Sequence, residues 1–155
     1  AQGIETYILN TKTPDTSQRL AKFENSVLDG SVAQAAQTDV GLIVKDLLLE
    51  TNQSPSKHLA CLVQDKLVQL TSPQKTTVVR NRGVKQALFY VLLGADMPSI
   101  LVEAGFLNHP KDRTLLLSPT GRRVFARGIA QAVTEFKKTK NTLQARRVLS
   151  SCQVH

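Results

Sequence analysis

The sequence predicts an α/β protein with an open, twisted sheet and helices on both faces. β-favouring segments at the start and in the second half of the chain are separated by stretches with helical periodicity. The two later segments, "ALFYVLLG" and "SILVEAGF", are nearly continuous apolar runs, which is typical of strands covered on both faces. The sequence predicts three strands and four or more helices. Three strands are few for one sheet, because a sheet averages about five to six strands. We therefore expect the first strands of the fold to be missing from this chain.

The first half of the chain supplies one strand and three helices. Alternation of side chains over residues 3–10, "GIETYILN", predicts the strand. Helix-start pairs follow at residues 13–14, 38–39 and 54–55, each ahead of apolar residues at helical spacing. Small residues at 30–37 form a linker between the first of these helices and the second.

The second half supplies two strands and a last helix. The basic segment "VVRNRGVKQ" leads into the second strand, "ALFYVLLG", and a turn separates that strand from the third, "SILVEAGF". Ser118 and Pro119 begin the last helix. Beyond Lys138 the helical periodicity fades. We therefore expect a domain over residues 1–138 and a frayed or loosely docked basic tail over residues 139–155.

Positive charge is concentrated at the C-terminal end. The net charge is +8, and residues 121–155 contribute +7, with eight lysines or arginines against Glu135 alone. Residues 1–120 are nearly balanced, with twelve basic and eleven acidic residues. Such a basic region can attract nucleic acid, anionic lipid or an anionic polymer, or it can be a solvated helix face. No apolar run approaches the roughly 20 residues that span a bilayer, so we expect no transmembrane segment.

The chain has two cysteines, Cys61 and Cys152. Their number and spacing match neither a disulfide framework nor a metal site. We interpret Cys61 as a small buried hydrophobic residue and Cys152 as an incidental thiol of the tail, which leaves the redox compartment open.

Glu103 is the most informative residue for chemistry. It lies in a run of small and apolar side chains, where an unpaired carboxylate costs several kcal/mol to desolvate. It also falls near the carboxyl end of the third predicted strand, where open α/β sheets bind ligands. A partly desolvated carboxylate at this point has a raised pKa and suits general base or acid chemistry near neutral pH. The alternative is a structural glutamate paired with Arg80 or Arg82.

The three histidines carry weaker signals. His58, at the first turn of an amphipathic helix, is interpreted as a surface or boundary residue. His109 follows the third strand and could reach the same crevice as Glu103, whereas His155 is the terminal residue. Their spacing makes no metal site, and the sequence contains neither a nucleophile elbow nor a nucleotide-binding glycine motif.

One long segment, "NRGVKQALFYVLLGADMPSILVEAGFLNHPKD", closely resembles the later part of the zinc-dependent N-acetylmuramoyl-L-alanine amidases, cell-wall hydrolases with an α/β fold. The matching features are the arginine-glycine-valine-lysine run at 82–85, the "VL" at 91–92, Pro98 and the glutamate strand at 102–106. The opening "GIETYIL", the "LAKFEN" segment and the helix over residues 56–67 also fit the family's order. The resemblance covers roughly residues 3–137.

This resemblance implies an activity and a site. The family hydrolyses the amide between the muramic acid lactyl group and the L-alanine of the stem peptide, with a zinc ion that binds the attacking water. By position, Glu103 is the glutamate that takes the water's proton and passes it to the leaving amine. Arg82 and Lys85 are expected to line the stem-peptide site, where cations would meet its carboxylates. Peptidoglycan is then the partner, and the location is the cell envelope, periplasmic or extracellular.

The sequence departs from the family pattern in one large respect. The family's three zinc ligands, two histidines and a glutamate, precede the "GIETYIL" strand, where this sequence begins. None of its histidines matches a ligand position, so we expect the C-terminal part of an amidase domain that is inactive as an isolated fragment. A smaller departure is Asn108-His109, where the family more often has serine-asparagine.

Two alternatives belong to other classes of protein. The chain could be a degenerate, metal-free amidase relative that binds peptidoglycan or a partner protein without cleavage. Nucleic-acid binding through the basic tail is the other alternative. It lacks interleaved aromatic residues and a recognised fold, so we expect no nucleic-acid partner.

Overall fold

The computed structural model describes residues 1–10, 15–26, 39–71, 79–93, 95–139 and 142–154. In chain order the elements are β1 (Ile4–Leu9), α1 (Asp15–Ser26), α2 (Asp39–Thr71), β2 (Asn81–Ala87), a 3₁₀ turn (Tyr90–Leu92), β3 (Leu101–Glu103), α3 (Pro110–Leu117), α4 (Pro119–Thr139) and α5 (Leu143–Ser151). The predicted helix start at residues 13–14 and the linker at 30–37 lie outside the described residues. Within the described ranges, no helix has the length and apolar character needed to cross a membrane.

β1 is the central strand of a three-stranded sheet with the order β2-β1-β3. β2 runs parallel to β1, with Ile4 paired to Asn81, and β3 runs antiparallel, with Glu5 paired to Glu103. The first residues of β1 and β2 therefore lie at the same edge of the sheet as the last residue of β3. Several charged side chains meet at this edge.

Both faces of β1 are buried under helices. Ile4 packs into a cluster formed with α2 and α4, and Ile8 packs against Ala60 and Cys61 of α2. On the opposite face Tyr7 packs with Ala21 of α1 and with other apolar side chains. The predicted α/β class, with an open sheet covered on both sides, is confirmed.

The second strand lies earlier than predicted. β2 is the basic segment Asn81–Ala87, and the apolar run after it forms the 3₁₀ turn instead of a strand. Hydrophobicity alone favoured the apolar run. The basic segment pairs with β1 because its two cations, Arg82 and Lys85, both reach the carboxylate of Glu5 on that strand.

The helices also differ from the prediction. α2 is one 33-residue helix that contains Pro55, where the sequence predicted that a separate helix begins. Proline removes one backbone hydrogen bond and normally ends or kinks a helix. Here, buried side chains just after the proline, including Ser56 and His58, fix the helix against the rest of the molecule. The short helix α3, just before the last predicted helix, was not predicted.

The tail was expected to be frayed or loosely docked; its described residues are docked, so the frayed alternative is wrong. α5 buries Ala145, and Val154 forms an isolated parallel bridge with Val84 of β2. Cys61 is fully buried, as predicted. It forms a disulfide with Cys152 across 91 residues of sequence, which corrects the interpretation of Cys61 as a simple hydrophobic residue and of Cys152 as an incidental thiol. The spacing gave no signal because the pairing depends on how α5 folds back on α2. The division into a domain of residues 1–138 and a tail stays a prediction.

Candidate active site

Glu103 ends β3 as a half-buried residue. Burial raises the pKa of its carboxyl group, and the negative charges of Glu24 and Glu5 raise it further. Among the described residues the Glu103 carboxylate has no hydrogen-bond or ion-pair partner. The structural alternative, a pairing with Arg80 or Arg82, is not found among the described residues: neither arginine forms an ion pair with Glu103, and the Nε atom of Arg82 lies 2.5 Å from Oε2 of Glu5.

Glu5 is the buried acidic neighbour of Glu103 on β1, with 2% of its surface exposed. Lys85 Nζ lies 2.6 Å from Oε2 of Glu5, and the Tyr7 hydroxyl donates to Oε1 at 3.0 Å. Burial alone would raise the pKa of Glu5, but hydrogen bonds from Lys85, Arg82 and Tyr7 and the charge of Lys85 lower it below its usual value. Glu5 is therefore ionised at neutral pH and has both oxygens engaged.

Sequence reasoning did not identify Glu5 as a site residue. Its signal was present: a second charged residue interrupts a strand, and two cations recur three residues apart in the basic segment that becomes β2. Only the parallel register of β1 and β2 shows that these charges meet.

Arg82 and Lys85, predicted to bind substrate, both lie beside the candidate base through their contacts with Glu5. The Arg82 guanidinium also lies 5.4 Å from the centre of the Phe106 ring, and Lys85 Nζ lies 5.8 Å from that of Tyr7. The single carboxylate of Glu5 thus compensates one of the two positive charges of this pair. A direct role in substrate binding stays a prediction.

The loop after Glu103 is held by Asp112 of α3. Asp112 Oδ2 accepts hydrogen bonds from the backbone N–H of Gly3 at 2.8 Å and of Phe106 at 3.1 Å. Gly105 has a φ of 150°, and a Cβ at that position would lie 3.2 Å from the Cβ of Asp112. The glycine therefore permits the close approach of loop and helix that fixes the end of β3.

The histidines do not converge on Glu103. His109 Nδ1 lies 3.3 Å from Oδ1 of Asp112, and no contact with Glu103 is found among the described residues. His58 is buried against Phe136, which corrects its interpretation as a surface or boundary residue. Burial lowers the pKa of the His58 imidazole. In the part of the chain that the structure describes, no group of three or more His, Cys, Asp or Glu side chains could hold a metal.

A half-buried glutamate that has no partner among the described residues, beside an ionised one at the edge of an open α/β sheet, is an arrangement suited to proton transfer. A family model described as Amidase_3, N-acetylmuramoyl-L-alanine amidase, matches residues 1–135. The chain therefore belongs to the Amidase_3 family of N-acetylmuramoyl-L-alanine amidases. The resemblance identified from the sequence is confirmed.

Individual relatives agree with the family model. The chain is 34% identical over 144 residues to the N-acetylmuramoyl-L-alanine amidase AmiC of Neisseria meningitidis serogroup B (strain ATCC BAA-335 / MC58), an alignment that covers 90% of this chain and 33% of AmiC. It is 25% identical over 138 residues to AmiA of Escherichia coli (strain K12), which covers 88% of this chain and 46% of AmiA. The chain thus spans between a third and a half of the length of these relatives.

A solved structure supports the fold. The crystal structure of an N-acetylmuramoyl-L-alanine amidase from Clostridium difficile 630 superposes on the chain with a TM-score of 0.54 and 27% sequence identity. The match covers 91% of this chain and 51% of that one.

Proposed function

We propose that this chain carries the general-base part of a peptidoglycan amidase, which hydrolyses the amide between N-acetylmuramic acid and the L-alanine of the stem peptide. The observation that carries the proposal is the environment of Glu103: half-buried, unpaired among the described residues, with a pKa raised by burial and by two neighbouring carboxylates. A carboxylate with a raised pKa accepts and returns a proton more readily near neutral pH. Membership of the amidase family supplies the reaction and the substrate.

Glu103 acts on both halves of the hydrolysis. Its carboxylate takes a proton from water while the water oxygen forms a bond to the lactyl carbonyl carbon. The C–N bond then breaks, and Glu103 returns the proton to the leaving amine of L-alanine. Glu103 is thus regenerated as a carboxylate in each cycle.

Glu5 does not carry the proton in this scheme. Its pKa is lowered and its oxygens accept from Lys85, Arg82 and Tyr7. Its fixed negative charge instead opposes ionisation of Glu103 and so keeps that residue basic.

The family resemblance implies a zinc ion that activates the water and polarises the carbonyl. The described residues do not fit such an ion, because they contain no cluster of three ligating side chains. We propose that the ligands of such an ion lie outside this chain, in a longer parent protein. The isolated chain is then inactive.

A location in the cell envelope is part of the proposal. The disulfide between Cys61 and Cys152 supports it, because disulfides persist in oxidising compartments such as the periplasm and cell surface. Several relatives are named as probable cell wall amidases, among them LytH of Staphylococcus epidermidis (strain ATCC 12228 / FDA PCI 1200). The alternative, a peptidoglycan binder without activity, would give no role to the partly desolvated carboxylate of Glu103, which has no partner in the described part of the chain.

Release of stem peptides from purified peptidoglycan tests the proposal in the parent protein, with zinc content measured in parallel. We expect release by the parent protein, and neither release nor zinc retention by the 155-residue chain after metal loading and dialysis. Near-stoichiometric zinc in the short chain would contradict the proposed location of the ligands. Absence of release by a zinc-loaded parent protein would contradict the amidase assignment.

A further inference from the structure

We propose that a cationic cleft between α2, α4 and α5 is a second binding site, which holds the carboxylate-bearing stem peptides of intact peptidoglycan. The cleft has a volume of about 640 Å³. We call it the α4 cleft. Its polar lining comprises Lys66 of α2, Gln144 of α5 and, from α4, Arg127, Gln131, Thr134, Glu135, Lys138 and Thr139. It shares no lining residue with the Glu103 site.

The α4 cleft carries a net positive charge because its carboxylate is already neutralised. Glu135 Oε2 lies 3.2 Å from Lys66 Nζ, and Oε1 accepts from the Gln144 side chain at 3.5 Å. Arg127 and Lys138 are exposed, and neither has an ion pair with any acidic residue in the described ranges. Two cations are thus left to meet an anionic ligand.

The spacing of these cations favours a polymer over a single small anion. Arg127 and Lys138 are eleven residues apart on α4, which is close to three helical turns and roughly 16 Å. They therefore lie on nearly the same side of the helix. Arg123, one turn before Arg127, is also exposed and extends the row. A ligand must present repeated anionic groups to contact all three.

The rest of the lining favours a peptide-bearing polymer. Gln131, Thr134 and Gln144 place amide and hydroxyl groups between the cations, and these groups match the amides of a stem peptide. The described lining residues include no aromatic side chain to stack on a base and no large apolar side chain to enter a bilayer. The choice of peptidoglycan over another carboxylate polymer rests on the proposed function.

Co-sedimentation of the 155-residue chain with purified peptidoglycan sacculi tests the α4 cleft. In the cleft variant, Arg127→Gln with Lys138→Gln, we expect the dissociation constant to rise about tenfold, because two exposed charge contacts with the polymer are lost. The matched control, Arg19→Gln with Lys22→Gln, removes two exposed cations from α1 and should change the dissociation constant less than about twofold. Circular dichroism checks that both variants fold. An equal loss of affinity in the two variants would show that binding depends only on net charge, which would overturn the proposed site.

Three further ligands separate the chemistry that the α4 cleft recognises. The chain should not co-sediment with sacculi whose carboxyl groups have been converted to amides. Binding to these sacculi would contradict recognition of carboxylates. Tighter binding to phosphatidylglycerol vesicles or to duplex DNA than to sacculi would assign the cleft to a different partner and overturn the proposal. Because binding is measured without cleavage, its failure is distinct from failure of the amidase assignment.

Discussion

Glu5 and Glu103 are cross-strand partners on β1 and β3, and their environments move their pKa values in opposite directions. Lys85 and Arg82 hold the Glu5 carboxylate, whereas the described residues leave that of Glu103 unpaired. Like charges directly opposite each other on neighbouring strands destabilise a sheet. Glu5 therefore serves as a fixed charge and Glu103 as a proton acceptor, in the way that paired carboxyl groups divide their roles in active sites.

The substitution Glu103→Gln should lower kcat of the parent enzyme by about 10²–10⁴, the usual contribution of a positioned acid or base. The side chain keeps its shape but loses the ability to accept a proton. Stem-peptide release under saturating substrate measures kcat, and circular dichroism reports folding. Retention of more than a tenth of the activity in a folded variant would contradict the general-base assignment.

The acidic limb of the pH–rate profile should lie above pH 4.5, the ordinary value for glutamate, because the base must be ionised and the pKa of Glu103 is raised. Glu24 is exposed on α1, and its charge contributes to the raised pKa. In Glu24→Gln we expect the limb to move to lower pH, since removal of a like charge makes Glu103 easier to ionise. The control Asp96→Asn, at an exposed position, should leave the limb in place. A limb that stays fixed in Glu24→Gln would mean that another group titrates.

Two isosteric substitutions should change stability in opposite directions at pH 7. Glu103→Gln removes a carboxyl group that is harder to ionise in the folded state. We therefore expect the free energy of unfolding to rise by about 0.5–2 kcal/mol, as is common where active-site strain is relieved. Glu5→Gln leaves Arg82 and Lys85 without their carboxylate, and we expect a loss of about 2–4 kcal/mol. Urea unfolding followed by circular dichroism measures both free energies.

The pH dependence of these two stability changes follows from the directions in which the pKa values of Glu5 and Glu103 are shifted. The pKa of Glu5 is lowered, so its stabilisation is present above pH 4.5 and is lost as the pH falls through the lowered value. The pKa of Glu103 is raised, so its ionisation costs stability as the pH rises from 4.5 through the raised value. Both differences from the wild-type chain should therefore shrink under acidic conditions. A stability difference for either variant that is constant from pH 3 to pH 7 would contradict the assigned environments.

Reduction of the disulfide should lower the free energy of unfolding by about 2–4 kcal/mol. The bond between Cys61 and Cys152 closes a long loop and joins α5 to α2, so its loss increases the entropy of the unfolded chain. Urea unfolding with and without a thiol reductant measures the effect. The double variant Cys61→Ala with Cys152→Ala should be insensitive to the reductant. An equal response of both proteins would show that the reductant acts elsewhere.

The sequence predicted the parts of this fold that depend on local pattern. β1, with its alternating side chains, and Glu103, a charge in an apolar run, were both identified correctly in position. The position of β2 was missed because Arg82 and Lys85 fit in a strand only where Glu5 pairs with them. Glu5 lies 77 residues before Arg82 and 80 residues before Lys85. Long-range partners of this kind leave no local periodicity.

The contacts that dock the C-terminal segment were missed for a related physical reason. α5 and Val154 are held by the disulfide, by a bridge to β2 and by the packing of Val148 and Val154 against the core, all of them contacts with residues far away in sequence. The fading periodicity after Lys138 correctly marked the end of α4 at Thr139 but carried no information about the path of the chain beyond that residue. Glu5 was missed as a site residue because its function depends on register, which a single sequence does not contain.

Asp112→Ala should destabilise the chain and also loosen the proposed site. The buried carboxylate of Asp112 accepts from the backbone of Gly3, ahead of β1, and of Phe106, after β3, so it ties together the ends of the two strands that carry Glu5 and Glu103. Hydrogen bonds to a charged group contribute about 1.5–3 kcal/mol each, and we expect a total loss of about 2–4 kcal/mol because water replaces part of them. Asp96→Ala, at an exposed position, is the matched control and should change stability by less than about 0.5 kcal/mol. Amide hydrogen exchange provides a second measurement: the N–H groups of Gly3 and Phe106 should exchange faster in Asp112→Ala alone. Unchanged protection at both amides, with unchanged stability, would show that Asp112 does not hold this edge of the sheet.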